Sequence, residues 1–502
     1  MLFHGALSGM NIQTKINMAR MPIPLGVGSY ESVSRPFSVQ RCVNMYADAA
    51  QAEALNDFML YGTPGIVSFS TVGASASRGA HVMNGVYYVV SGTSLYSIDS
   101  LGVVSSSLGT VAGTARVKFA DNGDKLVILV PGGNAYVYIA SAPSFAQITS
   151  VNFRTSDSVC FKDGYYIFTE TGTNVFFNSA LNDPLTFGAL DFGTAELAPG
   201  PIISCHVNFD ELFIIKSDML EIFQNVGGSG FPFQRVQGAS MEKGTHSKYS
   251  PVEWEDDFYF LGGGRNEKTA VFRTGTTTTP EKISTDAIDN EIQKFTQAEV
   301  AQSFSFTYAI GGFSFVGFTI RSVNINSRTF VFNVTASRLM QRPIWFEQQT
   351  GITENAWRPQ SVTLVYDKLL VSDVTDGRIG YLDEGTYTDY SAVISREKTL
   401  PPLSAGGVAT YLHALELTVD AGQGLISGQG SDPVIMLDYS DDGGRTWSSE
   451  LKRPLGDIGE YFRRVEWRRL GRIPSHRVFR FRQTDPIKTA WIKLEGDLTG
   501  GR

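Results

Sequence analysis

The sequence predicts an all-β fold: a six- or seven-bladed β-propeller followed by a C-terminal β-sandwich. Three observations predict it. The composition is that of sheets and tight turns, with 51 glycines, 33 phenylalanines and 20 tyrosines in a chain that is 42% apolar, which excludes a disordered polymer. One hairpin pattern returns through the middle at near-regular spacing. Two flanks fall outside that repeat, the N-terminal one rich in Pro and Gly and the C-terminal one made of alternating strands.

At 502 residues the chain exceeds what one simple core accommodates, so two or three domains, or one large repeat array, are expected. The repeat runs between Arg78 and Asp383. Each copy has an apolar strand, a turn of Asn, Asp or Gly, and a second apolar strand: "GAHVMNGVYYVV", "VKFADNGDKLVILV", "SVCFKDGYYIFTE", "SCHVNFDELFIIK", "SPVEWEDDFYFLG", "TYAIGGFSFVGF" and "SVTLVYDKLLVSD". Anchored on Asn84, Asn122, Asp163, Asn208, Asp256, Gly311 and Asp367, the spacings are 38, 41, 45, 48, 55 and 56 residues. A four-stranded propeller blade occupies roughly 40 to 50 residues. Third strands recur in step, as "TSLYSID", "NAYVYIA" and "TNVFFNS" do. Spacing alone does not force a ring, and a sandwich or a string of meanders is the alternative.

One helix is predicted, in "STDAIDNEIQKFTQAEVAQ", where Ile288, Ile292 and Phe295 share a face, Thr285 is the N-cap and Asp286 lies in the first turn. The expected boundaries are an N-terminal extension over 1–20, a Pro- and Gly-rich N-terminal segment over 21–71, the propeller over 72–383 and a C-terminal β-sandwich over 384–502. The stretch "LPPLSAGG" reads as the linker into the last unit.

Net charge is −8, which gives no overall attraction to nucleic acid or to an anionic membrane. Cys42, Cys160 and Cys205 are odd in number and widely spaced, which favours folding without disulfides or zinc in a reducing cytoplasm. The chain has no run of 18 apolar residues, so no membrane span is expected. Metalloprotease, nucleophile-elbow and phosphate-loop motifs are missing. The six histidines His4, His81, His206, His246, His413 and His476 have no ligand spacing. No enzyme activity, metal or cofactor is therefore expected.

Two local features carry more information. Ser440, Asp442, Gly444, Thr446 and Trp447 fit an S-x-D-x-G-x-T-W "Asp box", which occurs in sialidase propellers and in many other β proteins. Its residues suit a hairpin: the carboxylate and hydroxyl bond nearby backbone, and Gly permits positive φ. The single copy sits outside the blades. From Tyr461 to Arg482, eight arginines, Arg463, Arg464, Arg468, Arg469, Arg472, Arg477, Arg480 and Arg482, face one acid, Glu466. Alternation with Val465, Trp467, Phe479 and Phe481 predicts an aromatic inner face and a guanidinium outer face. That face reads as a docking surface, protein being the favoured partner over DNA, or as a solvated face paired with acids elsewhere.

The segment "RPFSVQRCVNMYADAAQAEALNDFMLYGTPGIVSFS" resembles the N-terminal signature of the packaged-DNA stabilisation proteins of short-tailed bacteriophages (podoviruses), the tail hub or nozzle family. Arg41, Val43, Asn44 and Tyr46 match an R-x-V-N-x-Y element, and Leu60 to Ile66, with Pro64 and Gly65, match the element that follows. The blade-like middle, "ISTDAIDNEIQ" and an Arg-rich β domain near the C-terminus are similar to the same family. The resemblance implies a non-enzymatic virion protein of the phage tail, made in the bacterial host cytoplasm, with a β-sandwich-like platform domain formed by the N- and C-terminal segments together. It implies a homo-oligomeric, hexameric ring below the portal and head–tail adaptor, in contact with other tail proteins (fibre, spike or needle). Such a ring continues the channel through which double-stranded DNA passes without specific binding, and helps retain the genome until ejection. A glycan-binding or glycan-hydrolysing propeller, motivated by the Asp box and by Trp254, Trp345 and Trp357 as sugar-stacking aromatics, is the alternative. An interaction-scaffold propeller of the cell is another.

Overall fold

The computed structural model describes residues 20–208, 210–227, 230–275, 279–404 and 410–500. The N-terminal extension, apart from Arg20, and most of the expected linker lie outside the described residues. Hairpins dominate because the turn residues permit it. Asn84 and Gly85 (φ 50° and 74°), Asp163 and Gly164 (49° and 86°), Gly311 and Gly312 (59° and 83°) and Tyr366 and Asp367 (56° and 55°) each place two successive residues at positive φ. That is the type I′ geometry whose twist matches paired strands. Asn122 makes its turn differently, accepting from the Lys125 amide at 2.8 Å.

Seven antiparallel sheets result, one per repeat copy. Their first strands, Ser77–Met83, Lys118–Asp121, Ser156–Lys162, Ser204–Asn208, Val252–Trp254, Phe304–Ile310 and Pro359–Val365, stand around a common axis. Pro359–Val365 touches both Phe304–Ile310 and Ser77–Met83, which closes the ring. Apolar side chains from adjacent sheets interdigitate between blades: Val127, Leu129 and Val137 of the second blade meet Val159, Phe168 and Phe177 of the third.

The last blade borrows its outer strand from upstream of the first. Gly65–Thr71 pairs antiparallel with Arg378–Asp383. Gly65 is needed there, since a Cβ would sit 2.4 Å from the Thr388 carbonyl oxygen. The strand assigned by sequence to the platform segment over 21–71 thus runs inside the propeller, because its hydrogen-bond partner lies about 300 residues later and leaves no local trace. The helical segment forms two short helices, Asp286–Ile292 with Thr285 as N-cap and Gln297–Ala301 with a Thr296 capping box. Ile288, Ile292 and Phe295 pack between the fifth and sixth blades.

The sandwich has two sheets. One contains Met45–Ala49, Phe58–Gly62, Ala490–Gly500, Thr410–Val419 and Val465–Ile473. The other contains Val39–Val43, Arg396–Thr399, His476–Gln483, Val434–Ser440 and Leu451–Pro454. Trp467, Phe481 and Trp491 interlock between them, with ring centroids 5.4 and 6.1 Å apart. The second sheet does not end at the sandwich: Val39–Val43 also pairs with Trp345–Glu347, the outer strand of the sixth blade, giving one sheet of 11 strands.

Trp345 anchors the blade side of that shared sheet. It is 1% exposed, donates its indole N–H to the Ile283 carbonyl at 2.9 Å and packs on Phe332 at 5.2 Å. Trp345→Ala is expected to destabilise the protein by about 3–5 kcal/mol, read as a lowered urea midpoint for loss of near-UV circular dichroism.

Candidate functional site

Arginines distribute themselves by register. Val465–Ile473 and His476–Gln483 are consecutive strands, yet each belongs to a different sheet of the sandwich. Arg464 and Arg468 therefore point out from one face, and Arg480 and Arg482 from the opposite one. The single guanidinium face read from the sequence is divided, because the Ile473–His476 connection crosses the sandwich rather than continuing a sheet.

Most of these side chains are already engaged. Arg477 is buried; it grips Asp441 at 2.6 and 2.7 Å, donates to the Leu470 and Arg472 carbonyls and covers the Tyr439 ring at 4.1 Å. Arg480 chelates Asp438 at 3.0 and 2.5 Å and stacks on Trp447 at 4.0 Å. Arg482 joins Asp438 to Glu450. On the other face Arg464 chelates Glu416 at 2.7 and 2.6 Å, Arg468 bonds Glu466 at 2.7 Å, and Arg463 lies 3.9 Å from Glu460. Arg20 adds a third cation to Glu416 and Glu466. Arg469 and Arg472 are different. Both are exposed, and among the described residues neither side chain is shown with an ion pair or hydrogen bond. Arg469 takes φ 62° in a bulge shared with Gly471 (φ 80°), which turns its side chain off the ladder.

The signature residues cluster at the join between propeller and sandwich. Arg41 chelates Glu347 through Nε at 3.2 Å and Nη2 at 2.9 Å, and Arg328 reaches the same carboxylate at 2.9 Å. Burial alone raises the Glu347 pKa, but the two guanidiniums overcome it and hold the carboxyl at about 2. Asn44 sits at φ 51°, where the chain leaves the second sandwich sheet for the first. Its side-chain amide donates to the Gln349 and Ser395 carbonyls at 3.1 and 2.8 Å and accepts from the Gln349 amide at 2.9 Å. Tyr46 packs edge-on against Phe313 and Phe315 at 5.1 and 5.2 Å. Thr63, Pro64 and Gly65 carry the chain from the sandwich into the last blade. Sequence reading passed over Glu347, since nothing local in "WFEQQTG" marks it as the partner of Arg41.

The Asp box is a closed turn. Asp442 accepts from the Arg445 and Thr446 amides at 2.8 and 3.0 Å and from the Thr446 hydroxyl at 2.6 Å, and these bonds hold its carboxyl far below the ordinary range. Ser440 Oγ donates to Asp442 and accepts from the Gly444 amide at 2.8 Å. Gly443 and Gly444 take φ 73° and 80°, and Arg35 bonds the Gly444 carbonyl at 3.1 Å. All the acceptor capacity of Asp442 is spent on the turn. The aromatics considered for sugar stacking are committed elsewhere: Trp345 and Trp357 are 1% and 3% exposed, and Trp254 packs against the core between the fifth and sixth blades. No group of His, Cys, Asp and Glu among the described residues could hold a metal ion.

The family model for the β-propeller of bacteriophage P22 Gp10 matches residues 21–387, and that for its β-sandwich matches residues 398–498. The chain belongs to the bacteriophage P22 Gp10 family. A member of the Gp10 family is a structural protein of the phage tail, and the resemblance read from the signature names the same family. The propeller match begins upstream of the strand Gly65–Thr71 that completes the last blade. No curated protein sequence matches the chain. Among solved structures, the N-terminal domain of Nup159 gives a TM-score of 0.40 at 10% identity over 68% of this chain and 99% of that one. BamB from Moraxella catarrhalis gives 0.37 at 13% identity over 68% and 97%.

Arg41→Ala leaves Glu347 charged, buried and half-paired, and is expected to cost about 3–5 kcal/mol, most of it recovered by Arg41→Met with Glu347→Leu. The pH sign follows from the depressed pKa. The stability contributed by Glu347 is full above the ordinary carboxyl value of 4.5 and disappears as pH falls to about 2. Melting curves through that window should show a smaller loss in Arg41→Ala than in the parent. Asp442→Ala should speed hydrogen exchange of the Arg445 and Thr446 amides while leaving distant blades protected, with no hydrolysis of polysaccharide to lose; a lost hydrolytic activity with unchanged exchange would contradict the turn assignment.

Proposed function

We propose that this protein is the nozzle, or hub, of a short phage tail: a homo-oligomeric ring, hexameric by family resemblance, that docks below the portal and adaptor. In this reading it continues the DNA channel, helps retain the packaged genome and bears the other tail proteins. It is made in the host cytoplasm and acts in the virion without catalysis. The observation that carries the reading is the sheet of 11 strands shared by the sixth blade and the sandwich. A conduit under load from packaged DNA needs a fixed angle between its parts, and the shared sheet, held at its join by the Arg41–Glu347–Arg328 cluster, supplies one where a flexible linker would not.

Charge supports the same reading. With net charge −8 and most of the C-terminal arginines neutralised by Asp438, Asp441, Glu416, Glu450 or Glu466, the sandwich gives passing DNA little fixed positive charge. Docking falls to the free arginines Arg469 and Arg472, with Arg463 and Arg468 beside them. An unpaired guanidinium binds a partner carboxylate in bidentate fashion without first breaking an internal pair.

The test is electron microscopy of the purified protein added to tail-less, DNA-filled heads. Rings at the portal vertex and retained DNA are expected; a monomer that leaves the vertex bare would refute the reading. Arg469→Glu with Arg472→Glu should weaken docking at least tenfold with an unchanged melting temperature, whereas Arg477→Glu should lower the melting temperature itself.

A further inference from the structure

Along the propeller axis lies a group of cations that the tail role does not use. At the end where the first strands begin, Arg116 reaches across the ring from the second blade. Its guanidinium lies 4.2 Å from the Phe304 ring of the sixth blade and donates to the Gln360 carbonyl of the seventh at 2.8 Å. Its own carbonyl accepts from the Tyr249 hydroxyl at 3.1 Å. Arg78 fixes the loop behind it, donating to the carbonyls of Val111, Ala112 and Ala115.

Arg321 arrives from the far side. It lies over the same Phe304 ring at 5.8 Å and donates to the Trp357 carbonyl at 2.9 Å, while its buried Nε has no hydrogen-bond partner. Lys118, two residues after Arg116 and the first residue of its strand, places Nζ 2.8 Å from both Ser158 Oγ and Ser204 Oγ of the third and fourth blades. All three cations are partly exposed, so the mouth is reachable from solvent.

None of the three has an ion pair among the described residues. The carboxylates whose charge they feel are taken: Asp157 by Lys248 at 2.7 Å and Asp373 by Arg358 at 2.7 Å. Burial lowers Arg116 and Arg321 to about 10 and Lys118 to about 8, which leaves all three mainly protonated at neutral pH. Arg116 and Arg321 feel each other's charge, and unpaired, partly desolvated cations are costly unless an anion joins them.

We propose that the axial mouth formed by Arg116, Arg321 and Lys118 binds a small polyvalent oxyanion, with inorganic phosphate as its simplest form. Two planar guanidiniums and an ammonium offer the charge and the hydrogen-bond donors that a phosphate group takes. The inference is independent of the nozzle reading, since it concerns the propeller of a single chain.

The experiment is thermal unfolding and titration calorimetry of the full-length protein in sodium phosphate against sodium chloride at matched ionic strength and pH, with a short DNA duplex as a further probe. Phosphate should raise the melting temperature by on the order of several degrees over chloride. Arg321→Gln and Lys118→Met should each remove that rise, with Arg321→Gln melting no lower than the parent in chloride because a like-charge contact is gone. Should Arg321→Gln fail to fold, Lys118→Met and the parent calorimetry decide. Equal melting in the two salts with no heat of phosphate binding overturns the proposal. So does a phosphate effect that survives in the folded variants, or stabilisation by duplex without stabilisation by phosphate.

Discussion

The Arg41–Glu347–Arg328 ion cluster is the constraint on which the arrangement of this molecule depends. Backbone pairing between the sixth blade and the sandwich is slight: in the parallel register only Val43 stands opposite Glu347, helped by the Asn44 amide on the Glu347 carbonyl at 2.8 Å. Such a junction would hinge if nothing else held it. A buried carboxylate shared by two guanidiniums and an Asn44 side chain bonded to both flanking segments convert it into a continuous sheet. A buried pair of this kind adds little net stability compared with apolar packing, but it tolerates only one geometry.

Ring closure and sandwich assembly are consequently interdependent. The N-terminal segment threads the second sandwich sheet, turns at Asn44 into the first, and crosses at Thr63–Pro64–Gly65 to complete the seventh blade before the first blade has begun. Removing the sandwich would leave the last blade without its outer strand or that strand without its anchor. Propeller and platform share one hydrophobic cluster, in which Tyr46 and Trp467 stand with Phe315 and Leu382, and they are inseparable in connectivity.

The arginines show why a charge count does not locate an interface. Eight cations against one acid in a short stretch suggested one basic face, but the acids that answer them, Glu416, Asp438, Asp441 and Glu450, come from other strands. The exposed pairs, such as Arg464–Glu416 and Arg482–Glu450, contribute at most about 1 kcal/mol each, so their main effect is to neutralise. Among the described residues the guanidiniums of this stretch left without a carboxylate are Arg469, in a bulge, and Arg472, just beyond it.

The sequence by itself determined the class of fold, the repeat and the signature. Alternation, turn residues with positive φ and blade spacing are local properties, written within about ten to fifty residues and enforced by backbone sterics and burial. It also determined the Asp-box turn, whose donors and acceptors lie within seven residues of one another. Only the tertiary structure decided that there are seven blades, that Gly65–Thr71 belongs to the last of them, that the arginines occupy two opposed faces, and that Arg116 and Arg321 share the Phe304 ring. Each of those facts is a contact between residues tens to hundreds of positions apart. Coulomb and hydrogen-bonding energies depend on distance in space, and sequence separation carries no record of it until the chain has folded.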